Sequence, residues 1–473
     1  MNLLKNPTLV FTLALTVLAS SCASYKDADE TVQQAELPTV SATLATDEQF
    51  TAQAPVAEWW QQLQDAELNQ LIDRALVENR DIRAAQASLQ ASRALLRNSK
   101  QQLLPSVEVG VSGVRQNQVG NPLMGNNEVI SETYQGGYDV NWEADLFGRL
   151  GSEAKVAAAQ AQISEADLQA AQVSIAAEVA SAYIALRGAQ YQLQVAQNNT
   201  GNQQETFDLT QRLAEIGRGD QFDIARAQAQ LALTQASIPS LQADVTVAIN
   251  RLSVLSNQPV EELRAALAQP RALPSLPTAV AIGSPAELLQ RRPDVRRADY
   301  ALRGAVAGYN VRVADLYPRI TFSGSLGYLS SDWGSLGEQS GNFFAFAPSI
   351  TWAGLNVGRV RSQIDAADAR IDARVAEFEQ SVALALEETD NALQRFSREE
   401  ERRLQLLAAN QASTQAADFA RQRFEIGTND FLSVLDAQRS QLDVSAQLAQ
   451  SETQLLLNLV EVYKALGGGW AQQ

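Results

Sequence analysis

The stretch LYPRITFSGSLGYLSSDWGSLGEQSGNFFAFAPSITWAGLNVGR, Leu316 to Arg359, decides how the rest of this chain is read. After Leu316-Tyr317-Pro318, Ile320, Phe322, Leu326 and Tyr328 share one parity, and Arg319, Thr321, Ser323 and Ser325 share the other. Successive side chains of a strand point to opposite faces, so this is a strand with one apolar face. A polar loop follows. Then Phe344, Phe346, Ile350 and Trp352 repeat the pattern against Ala345, Ser349 and Thr351, and Gly358-Arg359 opens a long helical tract.

The same plan occurs earlier in the chain. Val107, Val109 and Val111 alternate with Glu108, Gly110 and Ser112, and an Asn- and Gly-rich segment from Gln116 to Ser131 reads as a loop. Tyr134, Tyr138, Val140 and Trp142 then alternate with Gln135, Asp139, Asn141 and Glu143, and run into Leu146-Phe147-Gly148-Arg149. From about Leu150 to Ala214 there is no Pro and little Gly; if helical throughout, that tract is on the order of 100 Å long at 1.5 Å per residue. Leu168, Ile175, Val179, Ala182, Leu186, Ala189 and Leu193 follow steps of three and four with a gap at Gln172, the spacing of a coiled-coil seam. Flanking Ala residues predict neighbours on more than one side. A second helix is predicted from Phe222 to about Leu255, and the Pro-rich residues 257–285 read as a connector.

Landmarks in the two halves keep fixed offsets. Asp81 and Asp294 lie 213 residues apart, as do Pro105 and Pro318. Past the hairpins the offset is 210, for Trp142 and Trp352, Gly148 and Gly358, Arg149 and Arg359, Glu215 and Glu425, Gly217 and Gly427, Asp220 and Asp430, and Gln228 and Gln438. The second hairpin is three residues shorter and nothing else between these landmarks changes length. An offset held through helix, turn and helix predicts internal duplication. The chain therefore divides into a signal segment at 1–22, a tether at 23–55, a first repeat at 56–256 with its hairpin at 104–145, the connector at 257–285, a second repeat at 286–466 with its hairpin at 318–356, and a tail at 467–473.

Lys5 followed by the apolar run Leu9 to Leu18 reads as an export signal too short to span a bilayer. It leads to Ala19-Ser20-Ser21-Cys22, and Cys22 is the only cysteine in the protein. A lone exported Cys has no intrachain disulfide partner, so Cys22 is the candidate lipid attachment point. Leu usually occupies the place held here by Ala19. Ala23, in place of the Asp typical of inner-membrane retention, favours the outer membrane. Ser24 to Thr51 is polar enough to serve as a tether. The chain contains no His, which removes Ser-His, Cys-His and His-containing metal sites and leaves no catalytic or cofactor assignment. A formal charge of −17 argues against a nucleic-acid partner.

Strands of about 9 to 13 residues match the 9 to 11 that cross a bilayer when tilted, and Tyr134, Tyr138, Trp142, Tyr328 and Trp352 lie near strand ends or on the apolar parity, as an interfacial girdle requires. Four strands cannot close a barrel, and open edges cannot face lipid because their amides would go unsatisfied. Eight strands from two chains would fill their own interior; three chains bring twelve, which leaves a lumen. The fold class is thus mostly α with a membrane β-barrel, formed by a homotrimer with four strands per chain, above a coiled-coil helical tunnel.

Several motifs taken together resemble the TolC-like outer-membrane efflux proteins, in particular the lipoprotein branch serving resistance-nodulation-division multidrug pumps. They are Trp59-Trp60, Arg292-Pro293-Asp294-Val295, Trp142 through Asp145-Leu146-Phe147-Gly148-Arg149, Leu435-Asp436-Ala437-Gln438-Arg439 and Tyr463-Lys464-Ala465-Leu466-Gly467-Gly468-Gly469-Trp470. The resemblance implies an exit duct for drugs, not an enzyme, with a periplasmic adaptor and an inner-membrane pump as partners. It also implies periplasmic tips at Glu215 to Asp220 and Glu425 to Asp430, where Gly217 and Gly427 allow the reversal and Asp220 and Asp430 close it. Leu432 and Asp436, one turn apart on one helical face, match the family's periplasmic gate. Ser433 stands where some members carry a further Asp. Trp142, Gly148 and Arg149, with Trp352, Gly358 and Arg359, mark the barrel-to-helix junctions. The alternatives are a type I protein-secretion duct on the same architecture and a periplasmic coiled-coil scaffold without a pore.

Overall fold

The computed structural model describes residues 24–36, 50–51, 53, 56–119, 128–283 and 291–468; the signal segment, Cys22, Gly469 and Trp470 lie outside them. In chain order the first half contains α1 (Ala28–Gln33), β1 (Phe50–Thr51), a 3-10 turn (Trp59–Leu63), α2 (Ala66–Glu78), α3 (Arg80–Gln101), β2 (Ser106–Val119), β3 (Glu128–Ala144), α4 (Arg149–Glu215), α5 (Gln221–Ala236), α6 (Ile238–Ser256) and α7 (Val260–Leu267). Then follow β4 (Val280–Ala281), α8 (Pro293–Ala314), β5 (Arg319–Ser330), β6 (Asn342–Thr351), α9 (Val357–Glu425) and α10 (Phe431–Ala465). Helix dominates, and among the described residues no helix is long and apolar enough to cross a membrane.

The chain folds as two compact units. The first takes the described residues within 1–36, 88–165 and 297–379. Its sheet is antiparallel in the order β2-β3-β5-β6, so the two hairpins join through β3 and β5. Its helical core is a seam of Leu302, Val306, Tyr309, Val313 and Leu316 against Val360, Ile364, Ala367 and Ile371, alternating steps of four and three on both partners. Residues 24–36, the start of the expected tether, are packed on this unit. Asp27 caps α1 through the amides of Asp29 and Glu30, Ala28 and Val32 pack on the seam, and the Lys26 amide donates to Asn310 Oδ1 at 2.9 Å.

The second unit takes the described residues within 37–87, 166–296 and 380–473. Trp59 and Trp60 are buried in it, with Trp59 stacked on Tyr463 at 4.8 Å. The predicted seam on α4 is buried at Ile175, Val179, Ala182, Leu186 and Ala189, and Ala176, Ala177, Ala180 and Ile184 are buried as well, so this helix is covered on more than one side. Arg187 on the same helix is fully buried, and its guanidinium is held by Glu67, by Gln190 Oε1 at 2.7 Å and by the Gln269 carbonyl at 2.9 Å. That set pins α2 and the segment after α7 to α4.

Two sequence expectations need correction. The first hairpin's loop is shorter than Gln116 to Ser131, because Gln116 pairs with Ser131 and the ladder continues to Val119 and Glu128. Polar side chains do not stop a strand whose backbone groups are paired. The helix expected from Phe222 to Leu255 is interrupted at Ser237, since Pro239 lacks the N–H that would donate four residues back. The corresponding tract in the second half has no Pro, and α10 runs unbroken for 35 residues. The connector at 257–285 holds α7 and β4, and β4 pairs in parallel with β1.

Candidate functional site

The strand register decides what each face of the sheet carries. Directly opposed residues share a face, and the ladder places Val109 by Tyr138 and Tyr138 by Leu326, with Leu326 by Phe344. On the other face Glu108 opposes Asp139, Asp139 opposes Ser325, and Ser323 opposes Ala347. The predicted parities of four strands therefore merge into one continuous apolar face and one polar face. Trp142, Phe322 and Phe346 stack across three strands with centroids 5.6 and 6.1 Å apart. Much of this face is exposed: Val109 is 72 % exposed, Phe344 87 % and Ile350 71 %.

Gly137 and Gly327 oppose each other where β3 crosses β5, and a Cβ on either would press into the other strand's backbone. Among the described residues, the outer strands β2 and β6 each have one paired neighbour and one open edge.

Both junction tryptophans serve the same purpose. The Trp142 indole N–H donates to the Leu103 carbonyl at 3.0 Å, and that of Trp352 to the Leu316 carbonyl at 2.8 Å. Each ties the end of its hairpin to the turn that leads into it. The remaining junction residues differ between halves. Gly148 takes a φ of +68°, and Arg149 forms a two-bond fork to Glu143 at 2.9 and 2.7 Å and a third bond to Glu153 at 2.6 Å. The Glu143 hydrogen bond holds the Arg149 guanidinium above its ordinary pKa. Gly358 lies inside α9, and Arg359 is exposed with no ion pair among the described residues.

A side chain missed by the sequence reading accounts for the difference. Asp145 accepts the amides of Leu150 at 3.0 Å and Gly151 at 2.8 Å, capping α4 at its start. The place 210 residues on is Leu355, which has no acceptor to offer, and the chain enters α9 through a 3-10 turn at Gly354–Asn356 with Gly354 at φ +54°. An acidic residue just ahead of a helix was the available signal.

The two tips, by contrast, are built alike. Gly217 and Gly427 take φ of +75° and +77°. The Gly217 amide donates to Ala214 and that of Arg218 to Leu213; the Gly427 amide donates to Phe424 and that of Thr428 to Arg423. This paired pattern satisfies the last carbonyls of α4 and α9 and turns the chain sharply. Asp220 then caps α5 through the Asp223 amide at 2.9 Å, and Asp430 caps α10 through the Ser433 amide at 3.0 Å and its hydroxyl at 2.6 Å. Those bonds from Ser433 hold the Asp430 carboxyl below the usual carboxylate range. Ser433 is thus engaged in the cap.

On α10, Phe431, Val434 and Leu435 are buried with Ala227 in a small core, which turns Leu432 and Asp436 outward. Leu432 is 45 % exposed and Asp436 is exposed. Arg439 donates to Gln230 Oε1 at 2.9 Å, and among the described residues no ion pair joins it to Asp436.

Comparison with known proteins places this architecture. The model of the outer membrane efflux protein family matches residues 71–258 and 284–468. The outer membrane protein OprJ of Pseudomonas aeruginosa is 31% identical over 416 residues, covering 87% of this chain and 86% of that protein. The toluene efflux pump outer membrane protein TtgC of Pseudomonas putida is 31% identical over 441 residues, covering 92% of this chain and 88% of that one. Among solved structures, the outer-membrane channel OprN superposes with a TM-score of 0.87 at 39% identity, covering 92% of this chain and 98% of its own. The open state of the MtrE outer membrane channel of Neisseria gonorrhoeae gives 0.75 at 28%, covering 92% and 98%. A helical body carrying a sheet with an uncovered apolar face is that of a bacterial outer-membrane channel protein. This chain belongs to the outer membrane efflux protein family, a family of ducts located in the bacterial outer membrane.

The tip geometry makes a specific demand. Gly427→Val forces a β-branched residue to positive φ and also presses on the Arg218 guanidinium that lies against Gly427. It should destabilise the turn by about 2 kcal/mol. Amide hydrogen exchange across residues 424–434 should rise, whereas Gly201→Ala, at an open helical position, should leave that segment unchanged.

Proposed function

We propose that three copies of this chain close their sheets into one twelve-stranded barrel above a shared helical tunnel, forming the exit duct of a tripartite efflux pump. The observation that carries this reading is the sheet itself, whose apolar face is exposed and whose β2 and β6 edges are open. In lipid an unpaired edge leaves several amides and carbonyls without partners, so pairing β2 of one copy with β6 of the next meets the demand. Twelve strands is also the smallest multiple here that leaves a lumen.

The duct would receive drugs or other small toxic compounds from an inner-membrane resistance-nodulation-division pump through a periplasmic adaptor. Relatives described as antibiotic and toluene efflux pump outer membrane proteins support that cargo class. Lipidation at Cys22 would add an outer-membrane anchor next to residues 24–36, which are held on the first unit by Asn310 and by the Phe147 carbonyl.

The chain would comprise two copies of one unit, at 56–256 and 286–466. A matched pair of contacts supports this. Asn79 Nδ2 donates to the Leu255 carbonyl at 2.9 Å, and Arg292 Nη1 to the Ala465 carbonyl at 2.9 Å. Arg292 lies 213 residues after Asn79, and Ala465 lies 210 after Leu255. Each copy thus ties the start of its first long helix to the last turn of its final helix.

At the tips, Leu432 and Asp436 from three copies would form a dry constriction and a carboxylate ring selecting cations. Single-channel conductance in planar bilayers should rise when both are replaced by Ala; an unchanged value removes the gate assignment. A deletion strain should become drug-susceptible while secreting proteins normally, and the reverse result would favour the type I secretion duct. Phe346→Lys places a charge on the lipid-facing side, at a cost of about 2–4 kcal/mol near the bilayer midplane. It should reduce the membrane-assembled trimer seen on unheated gels, whereas Ser323→Lys on the polar face should assemble normally.

A further inference from the structure

Applying the 210-residue offset to the proposed gate leads to two residues that no motif singled out. Leu432 corresponds to Phe222 and Asp436 to Arg226. Both sit in the first turns of α5, as their counterparts sit in the first turns of α10. Their presentation is also alike: Phe222 is 66 % exposed, and Arg226 carries its guanidinium 5.3 Å from the centre of the Phe222 ring. Such a contact between a cation and an aromatic face orients both groups.

The neighbouring position shows why Phe222 is free for this purpose. In the second half Phe431 is 2 % exposed, packed on Phe424 at 5.6 Å, and serves the core of the tip. The matching place in the first half is Gln221, and the aromatic residue stands one position later, turned outward. Among the described residues, Phe222 belongs to no buried core.

Arg226 stands among carboxylates. Burial raises the Asp223 carboxyl above its usual range, Asp220 and Asp430 add to the rise, and Arg226 opposes it. Arg226 also contributes to the lowering at Asp430. These acids come from both tips, so the guanidinium has favourable fields on the side of its own helix and of α10.

We infer that Phe222 and Arg226 are the first repeat's half of the periplasmic constriction, a basic and aromatic pair alternating around the duct with the acidic and aliphatic pair Leu432 and Asp436. The inference rests on the reading of Leu432 and Asp436 as a gate. It changes the electrostatics of that gate: three Arg226 cations oppose three Asp436 carboxylates, so cation preference is set by a difference between two rings.

The test uses the full-length trimer, reconstituted alone in planar bilayers, where no adaptor or pump can contribute. Circular dichroism and the trimer band on unheated gels confirm that each variant is folded. Arg226→Gln should shift the reversal potential in a salt gradient further toward the cation value, Asp436→Asn should shift it the other way, and Arg226→Lys should restore it. Phe222→Ala should raise conductance as Leu432→Ala does. If the Leu432 and Asp436 variants respond while those of Phe222 and Arg226 do not, the inference fails and the proposed gate stands. If neither pair responds, both fail. If only the Phe222 and Arg226 variants respond, the constriction lies on the first repeat and the assignment of Leu432 and Asp436 falls.

Discussion

Everything distinctive about this chain follows from a sheet that leaves its own hydrogen bonding unfinished. Among the described residues, strands β2 and β6 each have one unpaired edge, and Val109, Tyr138, Leu326 and Phe344 on one face are exposed. In water such a surface would drive aggregation. In lipid the apolar face is satisfied but the open edges are not, because the bilayer core offers no donors or acceptors. The proposed closure by further copies would meet both requirements at once.

The helices answer a different requirement, that of packing over a long distance without a thick core. Unit one does so with a three-and-four seam on α8 and α9 whose buried residues form one cluster. Unit two adds aromatic and polar fastenings. Trp59 stacks on Tyr463, and the buried Arg187 finds Glu67, Gln190 and the Gln269 carbonyl. A buried guanidinium is tolerated only with such partners, and here its partners come from three separate stretches of chain, which fixes their arrangement.

Landmarks at fixed offsets in the two halves make the differences between them informative. Pro239 breaks the helix after the first tip, while the unbroken α10 follows the second. Asp145 caps α4, while Leu355 leaves the start of α9 to a 3-10 turn. Asn79 and Arg292 perform the same fastening with neutral and charged side chains, the latter needing Asp294 and Glu388 beside it. A sixfold-like ring built from these units would alternate in chemistry from one position to the next, and Phe222 with Arg226 against Leu432 with Asp436 is the sharpest instance.

The sequence by itself determined the periodic and the punctuated features. Alternation in Ile320, Phe322, Leu326 and Tyr328 specified the strand faces, steps of three and four specified the α4 seam, and Gly217 and Gly427 specified the reversals, because each depends on residues close together in the chain. Pro239 was legible too, although the helix was expected to continue past it. Only the tertiary structure decided that β3 pairs with β5, that Trp142 and Trp352 reach back to Leu103 and Leu316, and that charges of both tips, Asp220, Arg226 and Asp430, act together on Asp223. Those contacts join residues whose proximity is set by packing of distant segments, and no local propensity encodes that distance.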